Sequence, residues 1–380
     1  MMTKETAKQG IDLLFEMYDK DDPQGFINKN TKAIILEFIG GEPFLNINLI
    51  NYICDYFFEQ CLIKNHIWIH TLRISISTNG DLYFNEEVQR FIKKYNNYLN
   101  LSITVDGPKE LHDSCRVRHN GEGTFNQAYA ALKHYQKYYN SIPSTKVTIA
   151  PENLKELNNI IKFFLSENIY LINANTIYEH KWTPEEANTF YYELKQMADY
   201  VLSLNKQDEI YISLFDQTIG QPMRENENDN WCGGDMNMLA FDPNGDAYPC
   251  IRYMSSSLGN EVDPLPVGSV NGLFTTPKEK EIAKHLFSIT RRSQSTDECF
   301  YCPIARGCAW CSAWNYQENG DVNIRSTNIC LAHKARVLAN AYYWNKYDKK
   351  NTPFKLNLPE KDALEIISKE EYEKLKELSK

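Results

Sequence analysis

The chain has 380 residues, enough for two to three domains of ordinary size or one barrel with an appendage. Hydrophobic residues make up 42% and charged residues 24%, which excludes disorder for most of the chain and supplies a real core. Lys plus Arg total 41 against 50 Asp plus Glu, and the resulting net charge of −9 argues against nucleic acid as a partner. No run is long and apolar enough to span a bilayer, and the first residues lack the charged-then-apolar order of a signal peptide. The expectation is a cytoplasmic chain with no membrane partner, whose ten cysteines stay reduced.

Residues 3–18 carry Ile11, Leu14, Phe15 and Tyr18 at helical spacing. Residues 33–39 form a β-rich run that ends in Gly40-Gly41, and 46–62 predict a helix. Residues 72–77 alternate as a strand and stop at Asn79-Gly80. A helix over 86–95 and a strand over 99–105 follow, the strand ended by Asp106-Gly107-Pro108. Helices over 126–139, 153–165 and 184–204 then alternate with strands over 146–149 and 170–178. This order predicts parallel strands joined by crossover helices, an α/β barrel or doubly wound sheet. Ligand loops of such folds sit at strand ends, where Gly, Asn, Asp and Pro collect here.

After residue 205 turns multiply and cysteines appear. The predicted division is a barrel-like part over 1–205, a metal-stapled part over 206–335, and a helix with a charged tail over 336–380. An apolar helix starts near 335 and carries Val337, Leu338, Ala341 and Tyr342. Residues 369–378 predict a charged amphipathic helix, read as a solvated face.

Seven cysteines lie between Cys232 and Cys330. Cys232 and Cys250 flank Gly245 as C-x12-G-x4-C; Cys299-x2-Cys302-x5-Cys308-x2-Cys311 and Cys330 follow. Each C-x2-C turn brings two sulfurs to one centre, as iron–sulfur ligation requires. Structural zinc uses the same knuckles. Disulfides fit poorly in a reducing compartment with an odd number of thiols. The short gap between the knuckles, and Pro303 after Cys302, favour iron–sulfur over a zinc ribbon. Cys54 and Cys61, seven apart on a helix, read as buried packing, and Cys115 as a small filler.

This arrangement resembles the SPASM domain appended to radical S-adenosylmethionine (SAM) enzymes that modify peptides and proteins. One departure is the two-residue gap between Cys308 and Cys311, where the family has three. The first half adds Gly40-Gly41-Glu42-Pro43, which resembles the GGEP motif, and Ser77-Thr78-Asn79-Gly80, which resembles S-T-N-G. Thr104-Val105-Asp106-Gly107-Pro108 resembles S-[LIV]-D-G-P with Thr for Ser. His112-Asp113-Ser114-Cys115-Arg116 and Gly121-Glu122-Gly123-Thr124-Phe125 resemble H-D-x-x-R and G-x-G-[ST]-F. The stretches 22–41, 111–116 and 299–314 resemble the peptide maturases whose targets carry CXXX repeats.

The resemblance implies a partial (β/α) barrel that lacks its first strand and cluster loop, followed by a SPASM domain. Gly40, Gly41, Glu42, Pro43, Ser77, Asn79, Thr104, Asp106 and Arg116 are the implied SAM-binding residues. Glu42 suits an ammonium and Arg116 a carboxylate. Two auxiliary [4Fe-4S] clusters are implied, one on Cys299, Cys302, Cys308 and Cys330, the other on Cys232, Cys250 and Cys311. The second has one iron without a cysteine, open to a peptide thiolate. The implied partners are a ribosomal precursor peptide with Cys repeats and an electron donor such as a flavodoxin or ferredoxin, in an anaerobic setting.

The radical-generating C-x3-C-x2-C, which holds the family's third cluster, is not among these residues. The expectation is a chain that lacks its N-terminal strand and cluster loop. Sulfatase-maturating relatives carry Asp directly after the cysteine equivalent to Cys250; here it is Ile251, so thioether-type crosslinking is preferred to formylglycine formation. The other readings are a non-catalytic iron–sulfur scaffold for peptide binding or electron transfer, and a zinc-stapled interaction domain. Tyr178, Glu179, His180 and Trp182 follow the last predicted strand and read first as aromatic packing.

Overall fold

The computed structural model describes residues 1–23, 25–139, 145–234, 237–259, 261–347 and 353–379. The fold is α/β. Strands β1 (Ile35–Phe38), β2 (Arg73–Thr78) and β3 (Leu99–Ile103) form one parallel sheet in that order. Strands β4 (Thr145–Ile149), β5 (Leu171–Thr176) and β6 (Tyr211–Ile212) form a second. Ile76 of β2 pairs in register with Phe38 of β1 and Leu101 of β3. The second sheet therefore runs past residue 205, where the sequence suggests a boundary.

Each parallel step needs a crossover, and helices Ile47–Ile63, Glu86–Tyr95, Leu157–Ser166 and Pro184–Ser203 supply them. Their starts follow local chemistry. Thr183 caps the last of these with Pro184 at its first position, and Glu186 returns the bond to the Thr183 amide. Asn85 caps Glu86–Tyr95 through its side-chain oxygen.

One face of the sheets is apolar and buried under these helices: Ile74, Ile76, Leu101, Ile103, Val147, Ile149, Ile172 and Ala174. Cys54 and Cys61 are fully buried in the same core. Successive strand residues alternate sides, so Glu37, Ser75, Ser77, Asn100, Lys146, Thr148, Asn173 and Asn175 line the opposite face. That face is polar, and only Lys146 among these residues carries a positive charge.

The rest of the chain has short strands, as expected. β7 (Ala240–Phe241), β8 (Asp246–Tyr248), β9 (Gly268–Ser269) and β10 (Gly272–Leu273) form an antiparallel sheet. Tyr248, Tyr253, Val267, Leu286, Ala313 and Val322 build a second, smaller core.

Two expectations change. The helix predicted from about 335 begins at Cys330 and runs to Tyr347. It packs along Pro184–Ser203, burying Val337, Leu338 and Ala341. Helix Lys369–Leu378 is present, but one face of it docks instead of standing in solvent. Tyr372 and Leu375 are buried, and Glu371 accepts a hydrogen bond from Tyr191 at 2.7 Å and pairs with Lys195. Apolar residues at positions 372 and 375 make one stripe, enough to bury a short helix against two long ones.

Candidate functional site

The carboxyl ends of β1, β2 and β3 converge on one knot. Gly40 and Gly41 follow β1 with φ of +110° and +44°, which favour glycine, and a Cβ at either would meet nothing within 4 Å. The backbone here is bare and faces open space. Glu42 then turns back. Its Oε1 accepts from the Phe44 amide at 3.1 Å and from Thr78 Oγ1 at 2.7 Å, and its Oε2 accepts from the Asn79 amide at 2.8 Å. Thr78 Oγ1 accepts from the Gly80 amide at 3.1 Å.

The sequence singles out Ser77 and Asn79 and passes over Thr78. Thr78 is the residue that joins β1 to β2, and the signal was available: it shares the buried face of Ile74 and Ile76 by strand alternation. Ser77 lies on the polar face, where its hydroxyl accepts from Lys146 Nζ at 3.3 Å. Asn79 Oδ1 accepts from the Asp81 amide at 2.9 Å, closing an Asx turn. Thr104 continues the ladder, its amide donating to the Thr78 carbonyl at 2.9 Å.

The loop after β3 is held by its own motif residues. The Arg116 guanidinium grips the Asp106 carboxylate through Nε, with Nη2 3.3 Å from Oδ1. Its fork is therefore engaged within the protein. His112 is fully buried; its Nδ1 accepts from the Asp106 amide at 3.2 Å and its Nε2 meets Thr124 Oγ1 at 3.0 Å. Burial holds the His112 pKa below its usual value, so the neutral ring suits these partners. Asp113 Oδ1 accepts from the Phe125 amide at 2.9 Å, and a Cβ on Gly123 would come within 2.1 Å of the Asp113 carboxyl carbon. The Cys115 thiol stands 3.9 Å from Asp106 Oδ2.

The seven later cysteines gather into two groups, and all are free thiols. A Cβ built on Gly234 would lie 3.3 Å from Cys232 Sγ and 3.9 Å from Cys250 Sγ. Burial and then the neighbouring Cys311 and Cys232 push the Cys250 thiol up. The second group is Cys299, Cys302, Cys308 and Cys330. Burial pushes Cys330 up to about 11, helped by Cys308, Cys302 and Cys299. Among the described residues, no three His, Cys, Asp or Glu side chains converge tightly enough to hold one metal ion.

Donors surround these sulfurs. The Trp314 amide donates to Cys311 Sγ at 3.4 Å, and the Arg325 guanidinium to Cys308 Sγ at 3.2 Å. The Arg252 amide bonds to Cys250 and the Ile304 amide to Cys302. Among the described residues, Trp310 Nε1, Trp314 Nε1 and Arg336 Nε are buried donors with no acceptor. Buried donors call for an acceptor, so this environment suits an anionic iron–sulfur core held by thiolates.

Tyr178, just beyond β5, lies between the groups. Burial pushes its phenol up to about 12, with Cys311 and Cys232 of one group and Cys308 of the other contributing. It lines a small cavity with Asn175, Thr176, Gly307, His333 and Arg336. Glu179 pairs with Arg252 at 2.9 Å, His180 Nε2 bonds Glu186 at 2.8 Å, and Trp182 is buried against Phe190. Packing describes Trp182 and also Tyr178, which lies against the main core while its phenol feels Cys311, Cys232 and Cys308.

With this geometry in hand, comparison with known proteins is informative. No protein-family model matches the chain. It is 26% identical over 193 residues to a cysteine-type anaerobic sulfatase-maturating enzyme of Clostridium novyi (strain NT), covering 47% of this chain and 50% of that one. It is 25% identical over 170 residues to the radical SAM cyclopropyl synthase TigE of Paramaledivibacter caminithermalis, covering 44% and 31%. The fold matches a solved structure of native anSMEcpe with bound AdoMet and Cp18Cys peptide, with TM-score 0.62, 18% identity, and 91% and 90% of the two chains covered.

The chain is a relative of the radical SAM/SPASM maturases. It spans about half the length of the first curated relative it matches. The maturase-type fold places the bare Gly40-Gly41 backbone at a strand end beside a polar sheet face, with both cysteine groups in the second half of the chain. Among the described residues, no helix is long and apolar enough to cross a membrane.

Proposed function

We propose that this chain supplies the SAM-binding shelf and the auxiliary-cluster region of a radical SAM maturase that modifies a Cys-containing ribosomal peptide. In this reading the six parallel strands, β6 included, belong to a partial (β/α) barrel, and the SPASM domain expected over 206–335 begins after β6. The single observation that carries it is the set of seven free cysteines with sulfur-directed donors, three of which, Cys232, Cys308 and Cys311, act on Tyr178.

The chemistry SAM supplies in this family is hydrogen-atom abstraction by a 5′-deoxyadenosyl radical. The residues here do the holding. Gly40 and Gly41 offer backbone groups to the ligand without a side chain in the way. Glu42 fixes the turn that presents them, since both its oxygens already accept donors from the protein. Ser77 and its polar neighbours line the face where a nucleoside and peptide would lie. Asp106 and Arg116 act together, each shaping the loop through the other.

Cys299, Cys302, Cys308 and Cys330 would hold one [4Fe-4S] centre, and Cys232, Cys250 and Cys311 another. No further cysteine lies just upstream of Cys232 in the sequence. The remaining position of the three-cysteine centre is assigned to a peptide thiolate. A flavodoxin or ferredoxin as electron donor belongs to the same reading.

Anaerobic reconstitution tests the proposal. Iron and sulfide sufficient for two [4Fe-4S] centres, with SAM binding by calorimetry, are the expected results. Zinc without sulfide overturns it. Mössbauer spectra of the three-cysteine centre should change on addition of a Cys peptide and not of its Ser counterpart.

A second reading is sulfatase-type maturation, favoured by the named Clostridium relative. Ile251 after Cys250 weighs against it. Mass spectrometry separates the two: a thioether keeps the cysteine sulfur in the product, and formylglycine loses it.

A further inference from the structure

Most arginines in the second half of the chain have a partner of their own. Arg252 pairs with Glu179, Arg292 with Asp297 and Arg306 with Glu227. Arg291 is fully enclosed and donates to three carbonyls, those of Glu227, Phe300 and Arg224. Arg325 and Arg336 differ. Among the described residues neither has a carboxylate within 4 Å, which is also true of Arg291, but these two act on Cys308.

Arg325 sits over the Trp310 ring, its Cζ 4.4 Å from the centroid, and donates to Cys308 Sγ at 3.2 Å. Arg336 comes from the helix that Cys330 begins. Its Nη2 donates to the Gly307 carbonyl at 3.0 Å, and its buried Nε has no acceptor. The approach is built in: Gly307 has φ of +81°, and a Cβ there would sit 2.9 Å from Arg336 Nη2. Next to it, His333 Nε2 donates to the Ile304 carbonyl at 2.7 Å, fixing the 302–308 loop to the same helix.

A buried charge without a counter-charge is expensive. Arg325 at the Cys308 sulfur and Arg336 on the adjoining loop, where its opposite charges are Cys308 and Asp216, make a positive environment that suits an anion there. An iron–sulfur centre on four thiolates carries that negative charge, and its reduction adds more. Cations and hydrogen bonds at the sulfurs stabilise the reduced state and raise the reduction potential. The three-cysteine group has no such excess, because the guanidinium nearest it, Arg252, is already neutralised by Glu179.

We propose that Arg325 and Arg336 are tuning residues that hold up the reduction potential of the centre on Cys299, Cys302, Cys308 and Cys330. The inference rests on the cluster reading above and adds to it. Neither arginine ligates iron. Arg325 acts through the Cys308 sulfur, and Arg336 through its field at the loop that carries it.

Potentiometric EPR titration of the reconstituted holoprotein tests this, with the four-cysteine centre identified by its loss in Cys330→Ala. Arg325→Gln should shift that centre's midpoint downward by about tenfold in the redox equilibrium, about 59 mV for one electron. The other centre should stay where it is. Arg336→Gln should act in the same direction, and Arg325→Lys should recover part of the shift. Arg292→Gln, which removes a paired arginine, should move neither midpoint.

Unchanged midpoints in both Gln variants at full iron and sulfide content would overturn the tuning role and leave the cluster reading intact. Equal shifts of both centres would also overturn it. A wild-type protein that assembles no centre at all would sink the cluster reading itself.

Discussion

Arg116 closes on Asp106, ten residues before it in the chain, and the pair clamps the loop that follows β3. The loop is a closed set: His112 binds the Asp106 amide and Thr124, and Asp113 binds the Phe125 amide. Removing the clamp should loosen this loop before it touches any ligand. Arg116→Ala should lower stability by about 1.5–3 kcal/mol, the range for hydrogen bonds to charged groups. Urea denaturation would measure it. Hydrogen exchange should speed up first over residues 106–125.

Glu42→Gln tests the strand-end knot. Its carboxylate accepts three donors. An amide can accept through only one of its two heads, so either Thr78 or Asn79 faces a second donor. A loss of about 1–3 kcal/mol is expected from the unsatisfied group. Thr78→Val should give a similar loss, and the double variant less than the sum, because the two residues share a bond.

Gly123→Ala probes a close approach. The added methyl would overlap Asp113, and the loop must shift to admit it. A loss of about 1–3 kcal/mol is expected, the usual range for overpacking. Asp113→Ala in the same background should restore part of it, since the clashing group is then gone.

His333 predicts a pH dependence. Burial holds its pKa down to about 3 from the ordinary 6.5, and its Nε2–H is committed to the Ile304 carbonyl. Above 6.5 neither folded nor unfolded chain protonates it, and its contribution is full. As pH falls from 6.5 towards 3, only the unfolded chain takes the proton, so stability declines across that window. His333→Gln should flatten the fall in melting temperature between those values, relative to the parent protein. An identical slope in the two would remove His333 as the cause.

The C-terminal helix gives a fifth stability test. Glu371 is buried between Tyr191 and Lys195. Glu371→Ala leaves both without their acceptor and should cost about 1.5–3 kcal/mol. A freely solvated helix, as the charge pattern alone suggests, would show almost no effect.

The elements were readable because hydrophobic period and punctuation agree along the first half of the chain. Ile74 and Ile76 alternate with Ser75 and Ser77, and Asn79-Gly80 stops them, so β2 could be placed within a residue at each end. The division of the cysteines into two sets came from the family resemblance, since knuckle spacing alone would have kept Cys308 and Cys311 together. What escaped was partnership across loops. Asp106 and Arg116 both stand out in the sequence, yet nothing in their spacing says that they hold each other instead of a ligand. Glu42 likewise looked available for an ammonium until Thr78 and Asn79 were found on its oxygens. The docked face of Lys369–Leu378 was hidden because two buried residues among many charges make a weak pattern.

Helix Cys330–Tyr347 has a consequence for how the protein is made. Its first residue is the last of the seven cysteines to leave the ribosome, and its flank is the lid on Pro184–Ser203. The parallel strands are all synthesised by residue 212, more than a hundred residues earlier. A nascent chain therefore carries its finished sheets for some time with one long helix uncovered. The fourth thiol of the proposed four-cysteine centre arrives in the same stretch as the cover, so on that reading its completion and the closing of the fold fall together late in translation.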